Sequence, residues 1–290
     1  MTDLERYRAN PLQNGLGYLV EAGEHAAAGH ADAALAALER ALAEGCRYKR
    51  EWLQRDERLA PLRALPRFAQ ITAQADARYA EAAAAARPNL TFAIPDDLPD
   101  AFGYPLLIAL HGNNSNARET APQWVSMADR GWVVAVPQSS EIGMTPNAYT
   151  WNDRERAAAE ITTHIERVKR ATSIDIGRIV LAGFSMGGLQ AITLALSKQV
   201  KARGFVAVAA WLPHVGGLAE IVEAGASKML RGYLVVGDQD PSRAGAGELV
   251  ELLRRHGNRV ELDARAHLGH EYPADMAETL ARALALVTAP

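Results

Sequence analysis

The sequence predicts an α/β protein, an open and mostly parallel sheet with helices on both faces, preceded by a small all-helical segment. Three observations predict it. Short apolar runs without polar alternation recur at 106–110, 132–136, 178–182, 204–208 and 233–236. Such runs belong to strands covered on both faces, as in a parallel sheet. Helical spacing lies between them, in Ile161, Ile165 and Val168, then Leu189, Ile192 and Leu196, then Leu249, Leu252 and Leu253. Alternation of strand and helix is the signature of a layered α/β sheet. Thr91-Phe92-Ala93-Ile94 predicts an outer, antiparallel strand, and Arg259-Val260-Glu261-Leu262 a last one. The third observation is a change of composition near Arg87-Pro88, upstream of which the chain is rich in Ala, Leu, Glu and Arg and poor in β-branched residues.

That upstream composition favours helices. Residues 14–87 predict three or four of them, and the expected organisation is 1–87 helical and 88–290 α/β. Leu35, Leu38 and Leu42 share one helical face, and Gly45 follows as a stop. Gly29-His30 separates this helix from an earlier one, and Pro66 opens a later one through Phe68, Ile71 and Tyr79. The run Ala-Gly-His-Ala-Asp-Ala-Ala-Leu at 28–35, with Trp52-Leu53, Asp56, Leu59, Leu62 and Pro66-Arg67-Phe68, resembles a terminal tetratricopeptide-type repeat with its closing helix. The resemblance covers about one repeat, whereas stacked repeats need at least ~3 copies for a continuous core. An accessory hairpin and a surface for a protein partner or self-association are both open readings.

Composition excludes several classes of function. The chain has 290 residues, 49% of them hydrophobic and 22% charged, with a formal net charge of -3. Such a balance supplies no positive field for nucleic acid. The single cysteine, Cys46, excludes an intrachain disulfide and a thiolate zinc cage, and reads as a packing residue. Met1-Thr2-Asp3-Leu4-Glu5-Arg6 lacks the apolar stretch of a secretory signal, and no run approaches the ~20 apolar residues of a membrane span. The expectation is a cytoplasmic chain.

The chemistry concentrates at Gly183-Phe184-Ser185-Met186-Gly187-Gly188, where a predicted strand meets a predicted helix. G-x-S-x-G needs that context, because its serine sits in a strained turn that lifts the hydroxyl out of the sheet. Flanking glycines remove side chains that would collide with the neighbouring strand and helix. A serine hydroxyl holds its proton at neutral pH, so it needs a base, and the base needs an orienting group.

The partners are expected later in the chain, acid first and histidine last. His256 ends an amphipathic helix, and His214 precedes any candidate acid. His267 and His270 remain, in a loop before the final helix; Gly269 allows a sharp turn just before His270, which is the preferred base, with His267 the alternative. The acid is expected in Val236-Gly237-Asp238-Gln239-Asp240-Pro241. Asp240, beside the proline that stiffens the loop, is preferred over Asp238, which can serve as a turn aspartate. Backbone amides of Met186 and of Asn113, in His111-Gly112-Asn113-Asn114, are the expected donors to a carbonyl oxygen that gains charge.

These segments together resemble the α/β-hydrolase superfamily, and within it the phospholipase/carboxylesterase branch that includes acyl-protein thioesterases, over residues 89–287. The resemblance implies hydrolysis of carboxylic esters or thioesters without metal or cofactor. Trp211-Leu212-Pro213 is similar to a pocket-lining segment of that branch, which implies Trp211 and Leu212 as pocket residues beside Met186. Trp151 is read equally as a pocket wall or as an anchor for the helix that follows it. Asn113-Asn114 departs from the apolar or glycine residues usual after His-Gly in that branch, and the helical N-terminus is not part of its single-domain members. The stretch from Trp211 to Arg231 is too short for a large lid, so an open cleft for short- to medium-chain acyl esters is expected. The competing readings are a scaffold acting through the N-terminal helices and a peptidase of the same superfamily.

Overall fold

The computed structural model describes residues 3–225 and 229–289. The chain divides into two compact units, one of residues 1–87 with 140–149 and one of 88–139 with 150–290.

The first unit is helical. Its helices are α1 (Asp3–Ala9), α2 (Asn14–Ala27), α3 (Ala31–Ala43), α4 (Arg50–Arg55) and α5 (Pro66–Ala85). Leu19, Leu35, Leu38, Leu42, Leu53, Phe68 and Ile71 form its core. Helix α3 stops where Gly45 adopts φ +85°, with the Cys46 and Gly45 amides donating to the Ala41 and Leu42 carbonyls. That pair of bonds satisfies two orphan carbonyls, and the left-handed residue it requires is glycine. Cys46 is buried next to it, and burial pushes its thiol up to about 11. A thiol so protonated at neutral pH is inert packing.

Residues 140–149, expected in the α/β half, pack instead in the helical unit. The Arg47 amide donates to the Met144 carbonyl at 2.8 Å, and the Thr145 hydroxyl donates to the Leu12 carbonyl. A segment held by partners about a hundred positions upstream leaves no local periodicity to read. Helix α1 lies inside the expected helical segment 1–87 but before residue 14, where its individual helices are expected to begin.

The second unit follows the strand–helix rhythm. Its strands are β1 (Asn89–Ala93), β2 (Tyr104–Leu110), β3 (Val133–Gln138), β4 (Ile174–Phe184), β5 (Gly204–Val208), β6 (Arg231–Gly237) and β7 (Arg259–Arg265). Between and after them lie α6 (Ala117–Thr120), α7 (Arg154–Ala171), α8 (Met186–Ser197), α9 (Gly216–Glu223), α10 (Arg243–Arg255) and α11 (Met276–Thr288). Among the described residues these strands make one sheet in the order β1-β3-β2-β4-β5-β6-β7. Only the edge strand β1 runs antiparallel, against β3.

Alternate residues of each strand feed two cores. Leu106, Ile108, Leu110, Ile179 and Leu181 face α7, α8 and α10, through Ile161, Ile192 and Leu253. Leu107, Ala109, Val180, Ala182 and Val206 face the other way, onto Leu280 and Leu284 of α11. Both faces are therefore dry over β2, β3, β5 and β6, which is why those strands lack polar alternation, whereas the edge strand β7, Arg-Val-Glu-Leu-Asp-Ala-Arg, alternates. Parallel strands also end on the same side of the sheet, so Leu110, Phe184, Val208, Gly237 and Arg265 open onto one edge. Loops at that edge are where an open α/β sheet positions ligands.

Leu280 is fully buried against the sheet. Leu280→Ala is expected to cost about 2–5 kcal/mol, from lost apolar burial and the cavity left behind. Urea unfolding measures it, and a cost below about 1 kcal/mol would mean that α11 does not close that face.

Candidate active site

Ser185 joins β4 to α8 with φ +53° and ψ -118°. A residue bearing a side chain holds that conformation only when its surroundings enforce it. Here the Ser185 amide donates to the Val208 carbonyl at 3.0 Å, and the Ser185 carbonyl accepts from the amides of Leu189 and Trp211, each at 3.0 Å. The flanking glycines are required by close approach. A Cβ on Gly183 would lie 2.4 Å from the Gly187 carbonyl carbon, and one on Gly187 would lie 2.4 Å from the carbonyl oxygens of Leu110 and His111.

The loop after β7 brings an imidazole to this serine. His270 Nε2 lies 2.8 Å from Ser185 Oγ, and His270 Nδ1 lies 2.9 Å from Asp240 Oδ2. A carboxylate only accepts, so Nδ1 carries the proton and Nε2 offers its lone pair to the serine hydroxyl. The Asp240 side chain is shut off from solvent, and its second oxygen accepts from the Ser242 amide at 2.7 Å. The ring of Phe184 lies 5.3 Å from that of His270 and stacks at 4.4 Å on Tyr272, which in turn accepts from the Trp124 indole at 3.4 Å.

The loops carrying acid and base are clipped together by backbone. The Gln239 amide donates to the Leu268 carbonyl at 3.1 Å, and the Asp238 amide to the Arg265 carbonyl at 2.8 Å. A Cβ on Gly237 would meet the Leu268 oxygen at 1.8 Å, so only glycine fits there. Asp238 and His267, the alternatives for acid and base, are both exposed. His256 caps α10, its Nδ1 2.9 Å from the Leu252 carbonyl.

The turn after β2 passes close to the serine. A Cβ on Gly112 would lie 3.6 Å from Ser185 Cβ. Asn113 is exposed beyond it, and Asn114 takes φ +48° and is buried. His111 lies beneath the turn. Its Nδ1 donates to the Gly112 carbonyl at 2.8 Å, its Nε2 accepts from the Ser139 amide at 3.3 Å, and its ring lies 4.9 Å from that of Trp151. Complete burial lowers its pKa from 6.5 to about 4, and the neutral tautomer is the one these bonds require.

Beside Met186, the first residue of α8, opens a cleft of about 430 Å³ lined by Trp151, Arg154, Leu189, Gln190, Trp211 and Pro213, among others. Trp151 lines this cleft while fully buried and packed on His111. Leu212 is not a cleft residue. It is buried in the core between the sheet and α10, because Gly245 of α10 approaches the Leu212 carbonyl so closely that a Cβ would sit 2.0 Å from it. Sequence reasoning also missed Ser242, whose hydroxyl accepts from the Leu212 amide at 2.9 Å while its own amide holds Asp240. The Asp-x-Ser spacing was the available signal, since an aspartate often accepts from the amide two positions on. Among the described residues no three His, Cys, Asp or Glu side chains cluster as metal ligands, and no helix is long and apolar enough to cross a membrane.

The sheet order, the strained serine turn and the site at the strand ends define an α/β-hydrolase. The chain belongs to the phospholipase/carboxylesterase family, whose model matches residues 140–288. A bifunctional acetylxylan esterase/xylanase of Neocallimastix patriciarum is 34% identical over 89 residues, 29% of this chain and 12% of that protein, so the chain spans only a small part of that relative's length. The crystal structure of an uncharacterized protein from Bacillus cereus ATCC 10987 is similar over 94% of this chain and 87% of its own, with 27% identity and a TM-score of 0.58. The structure of esterase PE8 is similar over 68% of this chain and 97% of its own, with 17% identity and a TM-score of 0.56, a likeness of fold.

His164 of α7 shares the electrostatic condition of His111, its pKa lowered by burial from 6.5 to about 4. For both, the unfolded chain binds a proton at a higher pH than the folded one, so stability falls as pH drops from about 6.5 toward 4. For His111 the loss by pH 4 is on the order of 3 kcal/mol. Urea unfolding at stepped pH measures the fall and imidazole NMR assigns it; rings that titrate near 6.5 in the folded protein would contradict it.

Proposed function

We propose that the protein is a serine hydrolase of carboxylic esters or thioesters, acting through an acyl-enzyme on short- to medium-chain acyl substrates. The observation that carries this reading is the unbroken pair of hydrogen bonds from Ser185 through His270 to the buried Asp240. Family membership and the acetylxylan esterase likeness support ester hydrolysis.

In the mechanism, His270 Nε2 takes the Ser185 proton as Oγ attacks the acyl carbonyl carbon and the carbonyl π electrons move onto oxygen. The backbone amides of Met186 and Asn113 receive that oxygen, each such donor being worth ~10²–10³ in rate. Collapse expels the alkoxide or thiolate, which takes the proton from His270. A water then gives its proton to the same nitrogen, attacks the acyl-enzyme, and releases the acid and free Ser185. Asp240 holds the ring in the reactive tautomer and stabilises the imidazolium. Its burial keeps water from competing for the Nδ1 proton.

The acyl preference is supported by the cleft. Between Trp211 and Arg231 the described residues hold a single helix of eight residues, α9, and the cleft stays open beside it. Such a cleft suits a substrate that arrives from water better than a chain extracted from a lipid surface.

A fluorophosphonate probe is expected to label the wild-type protein at Ser185, with labelling lost in Ser185→Ala and His270→Ala. Asp240→Asn is expected to lower kcat by roughly 10⁴ while the fold melts normally. Nitrophenyl esters of increasing chain length should give highest kcat/KM at short to medium acyl chains. An inert wild type would reject the hydrolase reading, and a maximum at long lipid chains would reject the chain-length reading alone.

A further inference from the structure

The cleft beside Ser185 is less suited to a plain alkyl chain than its apolar walls suggest. Met186, Leu189, Leu218 and Ile221 line it, but so do Arg154 and the buried residues Trp151 and Gln190. The Trp151 indole Nε1 and the Gln190 amide Nε2 are both buried, and neither has a hydrogen-bond partner among the described residues. A buried N–H left unpaired is costly, so two in residues of one wall call for an acceptor. An alkyl chain pressed against that wall supplies none.

Charge points the same way. Among the described residues lining the cleft, Arg154 is the only one with a permanent charge, and no Asp or Glu lines it. Arg154 is the first residue of α7, whose cap Asp153 already accepts from the Arg156 amide at 3.0 Å. Its ion pair with Glu155 spans 3.8 Å between exposed side chains, and Glu155 also accepts from Gln199 at 2.8 Å. An exposed pair of that length contributes little and yields readily to a better partner. A carboxylate on the substrate is such a partner, because guanidinium offers it two parallel donors. The cleft therefore combines one weakly paired cation, two unpaired donors and no acid among its described lining residues.

We propose that the part of the ester held in this cleft carries a carboxylate, the substrate being an acidic ester such as the half-ester of a dicarboxylic acid. Arg154 reads the charge, Trp151 and Gln190 supply donors to its oxygens once a side-chain shift uncovers their buried N–H groups, and the apolar walls hold the carbon spacer. The assignment rests on the hydrolase reading above and narrows its substrate class.

Two ester pairs test it in the full chain. Mono(4-nitrophenyl) glutarate against 4-nitrophenyl butyrate places the charge on the acyl side, and 4-carboxyphenyl acetate against phenyl acetate places it on the alcohol side. One acidic ester is expected to exceed its neutral counterpart by about ten-fold in kcat/KM, through KM, as one charge-assisted contact provides. In Arg154→Gln that ratio should fall to near one, and Arg154→Lys should restore part of it, with unchanged melting temperatures showing that both variants fold. Neutral esters preferred in both pairs, or a preference that survives Arg154→Gln, overturns the proposal. Calorimetry on Ser185→Ala with monomethyl glutarate and dimethyl glutarate separates the two layers. Tighter binding of the acid that depends on Arg154 supports the proposal even if no ester is turned over, a result that would sink the hydrolase reading instead. Equal binding of the two rejects the acidic-ester reading while leaving the hydrolase intact.

Discussion

The site depends on one strained residue. Ser185 keeps φ +53° because three backbone hydrogen bonds, to Val208, Leu189 and Trp211, fix it from the neighbouring strand, its own helix and the following loop. Strain of this kind persists only where the surroundings over-determine it. The surroundings in turn require that α8 lie directly on β2 and β4, which the absent side chains of Gly183 and Gly187 permit. Nucleophile position, helix packing and sheet order are thus a single constraint, and a methyl group at either glycine would break all three.

The same economy governs the base. His270 sits on a loop, and loops are the mobile parts of a fold. Its place is set less by side chains than by backbone clips between the loops after β6 and β7, at Asp238–Arg265 and Gln239–Leu268. Gly237 lets the two loops pass at a distance no other residue would tolerate. Ser242 extends the chain of supports, holding Asp240 with its amide and the Trp211–Leu212 turn with its hydroxyl. Acid, base and one cleft wall are consequently coupled through two residues, 237 and 242, that touch no substrate.

Much of this was legible in the sequence, and the reasons are local. The unbroken apolar runs identified the parallel strands because both faces of the sheet are covered, and the β4–α8 junction was recognisable because its constraint is written as glycines within two positions of Ser185. Asp240 stood out from Asp238 through its neighbouring proline, and the structure turns Asp240 inward while Asp238 faces solvent. Strand order was not legible, since it is decided by crossovers rather than by any segment's pattern. Leu212 was misassigned because the side-chain direction after Trp211 is set by α10, thirty residues on, at Gly245. Residues 140–149 were assigned to the wrong unit for the same kind of reason, their hydrogen bonds running to Leu12 and Arg47.

Buried polar groups beside the cleft differ in how far the protein satisfies them. His111 is buried with both nitrogens engaged, so its lowered pKa describes a group locked neutral to hold the turn at Gly112. It orders the loop and needs nothing more. Trp151 packs at a tilt on that same imidazole, yet its own N–H finds no partner among the described residues. Packing therefore explains the position of the indole ring but not the choice of a ring that carries a donor, since phenylalanine would fill apolar space without that penalty.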